Sequence, residues 1–134
     1  MAGTLRVAHQ GGDRFTIEIR GHTVTVDQPV DGGGEDTAPT PTELFVAGLA
    51  SCVAFYARRY LARHQLPFEG LEVAAEFTMA TGPARVGAVD VTIRMPEGVP
   101  AERLDALLAV ASHCTVHNSL EQPPVVRFTL EEGR

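Results

Sequence analysis

Two thiols carry the chemical possibilities of this chain. Cys52 lies inside Pro41–Ala57, Pro-Thr-Glu-Leu-Phe-Val-Ala-Gly-Leu-Ala-Ser-Cys-Val-Ala-Phe-Tyr-Ala, which is free of charge from Leu44 onward. Cys114 lies in Ser-His-Cys-Thr-Val-His, Ser112 to His117. In a reducing compartment two such cysteines are inert, redox-active or metal-binding rather than a structural disulfide. His117 follows Cys114 by three residues, so one helical turn brings them together. It then stabilises a Cys114 thiolate, shuttles a proton or serves as a hydrogen-bonded structural residue. A closed zinc site needs four ligands, usually in two tight pairs, and no second pair accompanies Cys114 and His117. A cysteine hydrolase is disfavoured because Cys52 falls mid-helix rather than at an activating helix N-terminus.

The elements that must position these thiols follow from periodicity and turn chemistry. Thr4–Ala8, Phe15–Arg20 and Thr23–Val26 alternate as strands around turns at Gly11-Gly12-Asp13 and Gly21-His22. The stretch Gln28–Pro39, with Gly32-Gly33-Gly34, is a long loop of the kind that is often functional. Thr40, Pro41 and Glu43 form a capping box that opens a helix running to about His64, with Arg58, Arg59 and Arg63 near its C-terminal end. Pro67 stops it. Leu71–Met79 and Gly87–Met95 read as strands around Thr81-Gly82-Pro83. Ala101–His113 has apolar residues at helical spacing, Thr115–Leu120 fits a short helix, and Val125–Leu130 reads as a closing strand. His113 suits the C-terminal end of its helix. The order strands, helix, strands, helix, strand predicts an α+β fold with helices segregated onto mainly antiparallel sheets.

With 134 residues, the chain is expected to form a single domain over 1–134. A net charge of −6 argues against nucleic-acid binding. The 14 uncharged residues Leu44–Ala57 rise about 21 Å as a helix, short of the ~30 Å of bilayer hydrocarbon, so no membrane span is expected. The first residues, Met-Ala-Gly-Thr-Leu-Arg, lack the apolar region of a signal peptide, which predicts a cytoplasmic protein. A central helix apolar on every face must be buried nearly all round, which puts Cys52 at depth. One domain of this size covers one or two of those faces, so a symmetry mate is expected to cover the rest.

The run Pro-Thr-Glu-Leu-Phe-Val-Ala-Gly-Leu-Ala-Ser-Cys-Val-Ala, followed some sixty residues later by Ser-His-Cys-Thr-Val-His-Asn-Ser-Leu, resembles the OsmC/Ohr family of osmotically inducible and organic hydroperoxide resistance proteins. The resemblance implies an intertwined α+β homodimer, with a buried central helix and two thiol sites at the subunit interface. It also implies an oxidative-stress role: Cys52 attacks an organic hydroperoxide and Cys114 resolves it. An external dithiol resets the pair, and no metal, haem or flavin cofactor takes part. The chain departs from the hydroperoxide branch at two places. Thr42 stands ten residues before Cys52, where that branch has a glutamate, and Thr115 stands where a proline commonly follows the second cysteine.

Such chemistry needs a thiolate, a cation that lowers its pKa and a second thiol. A buried thiol has its pKa raised unless a positive group reaches it. The family's arginine comes from the N-terminal hairpin region, which points to Arg14, with Arg20 as competitor. Glu43 is placed to orient that arginine, or only to complete the capping box. It lies nine residues before Cys52, about 13.5 Å along the helix and on its opposite side. Leu49, Val53 and Phe55 would shape a pocket for an alkyl or lipid hydroperoxide, or serve as core. If the thiols pair, their Cα atoms must come within about 7 Å. The alternative is a non-catalytic domain of this family that binds a small apolar ligand or a partner, or senses redox state through its thiols.

Overall fold

The computed structural model describes residues 3–133. The chain divides into two compact units, Met1–Ala47 with Phe77–Val89, and Gly48–Glu76 with Asp90–Arg134. In the first unit, β1 (Leu5–Gly11), β2 (Arg14–Ile19) and β3 (His22–Val26) form an antiparallel meander in the order β1-β2-β3. Val7 faces Ile17 and Ile17 faces Val24, so the period-two alternation seen in the sequence sets the register. A two-residue turn joins β2 to β3, with Arg20 at φ 49° and Gly21 at φ 83°. Positive φ at both central residues matches the twist of a tight hairpin. β1 runs past Ala8 to Gly11, with a bulge between His9 and Gly11.

The Gly-rich loop has a fixed shape. Asp27 is 1% exposed, and its carboxylate accepts from the Gln28 amide (2.7 Å), the Thr37 amide (3.0 Å) and the Thr37 hydroxyl (2.7 Å). These bonds, the Thr37 hydroxyl foremost, hold its pKa at about 2 against burial. At Gly34 a Cβ would lie 2.2 Å from the Gln28 carbonyl oxygen, so only glycine allows this approach.

α1 (Pro41–Arg63) begins as the capping box requires: the Glu43 amide donates to Thr40 Oγ1 at 3.0 Å, and the Thr40 amide donates to Glu43 Oε1 at 2.8 Å. Its 23 residues exceed the uncharged run. By length and composition alone it is apolar enough to cross a membrane, contrary to expectation. A helix that supplies a protein core passes the same test, and Val46, Leu49, Val53, Ala57, Tyr60 and Leu61 are buried at helical spacing. Other faces are not covered. Phe45 and Phe55 are 46% and 53% exposed within this chain. The uncovered faces leave Cys52 half-buried rather than at depth.

β4 (Glu72–Ala80) and β5 (Arg85–Arg94) make a two-stranded sheet, joined by a turn that contains a cis Gly82-Pro83 bond. The second helical region is two helices separated at Cys114, as the sequence suggests, with its first turn in 3-10 form. A 3-10 turn over Ala101–Arg103 leads into α2 (Leu104–Ala111), and α3 (Thr115–Glu121) follows. The break comes at Cys114, whose extended backbone (φ −70°, ψ 159°) starts α3 as its N-cap. His113 stays outside the helix, its Nδ1 2.6 Å from the Ala109 carbonyl at the C-terminal end of α2. Leu107, Ala111 and Cys114 join α1 residues from Leu49 onward in the core of the second unit.

The expected closing strand Val125–Leu130 does not form. Val125, Val126, Phe128 and Leu130 are 64–99% exposed. A strand requires a neighbour for its ladder, and among the described residues no strand pairs with this segment.

Candidate active site

The two thiols meet inside the second unit. Cys52 projects from the middle of α1, and Cys114 arrives from the α2–α3 junction. Both are free cysteines, Cys52 half-buried and Cys114 buried. Cys114 is fully buried, and its Sγ accepts from the His117 amide at 3.4 Å. Burial pushes the Cys114 thiol up from its ordinary 9.0, and Cys52 adds to the rise. The amides of His117 and Val116 oppose it. Cys114 is thus a protonated, enclosed thiol beside a more accessible one.

A hydrogen bond links the two thiol-bearing segments. Tyr56 lies four residues after Cys52 on the same face of α1, and Thr115 directly follows Cys114. Their hydroxyls are 2.8 Å apart. Tyr56 of α1 therefore holds the first residue of α3. Tyr56 was missed from sequence because it sits in an apolar run and reads as core.

His117 reaches Cys114 through its amide rather than its ring. Nδ1 donates to the Ser112 carbonyl, and Nε2 lies 3.2 Å from Glu121 Oε1. The ring therefore braces α3 instead of facing the thiol. Leu49 and Val53 are 6% and 5% exposed and belong to the core, while Phe55 lies on the surface, edge-on to Tyr56. Among the described residues no group of three His, Cys, Asp or Glu gathers to hold a metal.

In the first unit, Arg14 opens β2, and its guanidinium donates to Glu35 Oε1 at 3.1 Å. The carboxylate on Arg14 is therefore Glu35, from the Gly-rich loop, rather than Glu43, which caps α1. Glu35 was one of two adjacent acids in that loop, and nothing in the spacing singled it out. Arg20 occupies the β2–β3 turn and is exposed.

The family model described as OsmC-like protein matches residues 32–129. No curated protein sequence matches the chain. Among solved structures, one from Psychrobacter arcticus 273-4, named for osmotic stress induction and a detoxification response, is 25% identical. It has a TM-score of 0.82, with 89% of this chain and 88% of that one covered. The OsmC-like protein of Mycoplasma pneumoniae is 14% identical, with a TM-score of 0.79 and coverage of 92% and 89%. The organic hydroperoxide resistance protein OhrB of Bacillus subtilis is 16% identical, with a TM-score of 0.65 and coverage of 92% and 93%. The last two likenesses are of fold. With the family match spanning most of its length and both thiol segments inside it, this chain belongs to the OsmC-like protein family.

Proposed function

We propose that this protein is a cysteine-based peroxidase that reduces organic hydroperoxides, working as a cytoplasmic homodimer in oxidative-stress defence. The observation that carries the reading is the pairing of a half-buried Cys52 with a fully buried Cys114. The Cys52 thiolate attacks the distal oxygen of ROOH. The O–O bond breaks, a proton goes to the leaving alkoxide, and ROH departs with Cys52 left as sulfenic acid. Cys114 then gives up its proton, its sulfur attacks Cys52, and water leaves as the disulfide forms. An external dithiol reduces that disulfide by two exchange steps and is itself oxidised.

The resolving role suits Cys114 because burial keeps it protonated until the sulfenic acid forms beside it. The cation proposed to activate Cys52 is Arg14, as the family resemblance implies, and within its own unit Arg14 is held by Glu35. The homodimer is supported by the uncovered Phe45 and Phe55 on α1 and by the unpaired segment Val125–Leu130.

The test is one equivalent of cumene hydroperoxide added to reduced protein, with hydrogen peroxide in parallel and thiols followed by titration and mass. The expected result is stoichiometric loss of both thiols as a Cys52–Cys114 disulfide, faster with the organic peroxide. Thiols that react no faster than free cysteine would overturn the reading and leave a binding or redox-sensing domain.

A further inference from the structure

The C-terminal half of α1 carries a second feature that the thiol chemistry does not use. Tyr56, Arg59, Tyr60, Arg63 and His64 are spaced i, i+3, i+4, i+7 and i+8, so they share one face of the helix. With Val110 of α2 they line a cavity of about 340 Å³. Its walls are the two tyrosine rings, the His64 ring and Val110. Tyr60 and His64 pack with ring centroids 4.3 Å apart.

The nitrogen-bearing side chains at this cavity are Arg59, Arg63 and His64. Arg103 lies 3.3 Å from His64 Nδ1, and because a guanidinium only donates, Nδ1 accepts and the ring proton sits on Nε2. His64 therefore offers a donor at Nε2, beside the Arg59 and Arg63 guanidiniums. Among the described residues no carboxylate lies within 4.0 Å of a nitrogen of Arg59 or Arg63. In a chain of net charge −6 this is a local excess of positive charge around an aromatic-walled hollow.

We infer that this cavity binds a small aromatic carboxylate. The planar guanidinium fork matches a carboxylate in two parallel bonds, and the His64 Nε2–H supplies a third donor. The tyrosine and histidine faces stack against an aryl ring. The volume is at the small end of ligand pockets and fits a body of one or two rings. A bare oxyanion would leave the aromatic walls unfilled, and a neutral arene would leave Arg63, and Arg59 lying 5.6 Å over the Phe55 ring, without an anion.

The test is a titration of the reduced, full-length protein with 1-naphthoate, free of peroxide, followed by calorimetry. Because no thiol reaction takes place, the result is independent of the peroxidase reading. One site per chain is expected, weakened at least tenfold in Arg59→Gln and in Arg63→Gln, and less in Arg63→Lys. Val110→Glu, which puts a competing carboxylate in the cavity while leaving both arginines unsubstituted, is expected to abolish binding. Neutral 1-naphthamide binding as tightly as the acid would overturn the proposal. So would inorganic phosphate binding as tightly as naphthoate, or affinity unchanged in all four variants.

Discussion

The hydroxyls of Tyr56 and Thr115 lie 2.8 Å apart, one helical turn beyond Cys52 on one side and one residue beyond Cys114 on the other. Nothing else described here ties α1 to the start of α3 through a polar side-chain bond so near the thiols. The bond ties the turn of α1 that follows Cys52 to the residue that follows Cys114. Tyr56→Phe and Thr115→Val are each expected to lower stability by about 0.5–1.5 kcal/mol. The double variant should lose less than the sum of the two, since both remove one bond. Disulfide formation after peroxide addition should slow in both single variants. Additive losses in denaturant titrations would show that the hydroxyls do not act as a pair.

The two thiols should separate in alkylation. Burial and the neighbouring Cys52 raise Cys114 above its ordinary 9.0, so its thiolate forms at higher pH than that of an ordinary cysteine. At pH 8, iodoacetamide is expected to label Cys52 first, with Cys114 following as pH rises, as read by peptide mass. The same shift makes folding pH-dependent. A thiol whose folded pKa is raised favours the protonated native state, so this contribution is present below the unfolded pKa and declines as pH rises above it. Cys114→Ser should flatten that alkaline decline.

Asp27 has the opposite sign. Its folded pKa is held at about 2, below the ordinary 3.8, chiefly by the Thr37 hydroxyl. The stability it supplies is therefore complete above about pH 4 and is lost as pH falls through the folded value. Asp27→Asn is expected to remove this acid dependence and to loosen the Gly-rich loop. Limited proteolysis should then cut near Gly32-Gly33-Gly34, where the native protein resists.

Gly34 is a sharper probe of the same loop. Its φ is not positive, so the requirement is space rather than conformation: a Cβ meets the Gln28 carbonyl at 2.2 Å and the Asp27 carboxylate at 2.7 Å. Backbone must shift to admit it. Gly34→Ala is expected to cost on the order of 1–3 kcal/mol, as overpacking does, with the loop and Glu35 displaced. A melting temperature equal to that of the parent would refute this.

Much of this was legible from residue types. The capping box at Thr40 and Glu43, the register of β1–β3 and both thiol segments follow from local chemistry, and local chemistry is what a sequence displays. The misreadings have a common cause. Glu35 on Arg14, Tyr56 on Thr115 and Asp27 on Thr37 are contacts between distant or loop residues, which no periodicity announces. The break at Cys114, between a helix ending near His113 and a short one from Thr115, was legible too; the 3-10 geometry of Ala101–Arg103 was not, because its apolar spacing continues into α2. The burial of Cys52 was overstated because uniform apolarity says that a face will be covered, but not by which chain.

That last point bears on Val125–Leu130. The segment has strand-like residues, and its side chains at Phe128 and Leu130 are 93% and 99% exposed. An isolated chain offers it no ladder, while a second copy brings additional strand edges. If the homodimer forms as proposed, this segment pairs in it, and its apolar side chains leave water there. Phe128→Ser with Leu130→Ser touches no contact within the described chain, so the fold of the single subunit should survive. The variant is expected to run as a monomer in size-exclusion chromatography with light scattering, at concentrations where the parent is dimeric. Far-UV circular dichroism of the helices should be little changed. A variant that remains dimeric would remove the segment from the interface and leave the exposed Phe45 and Phe55 of α1 to carry it.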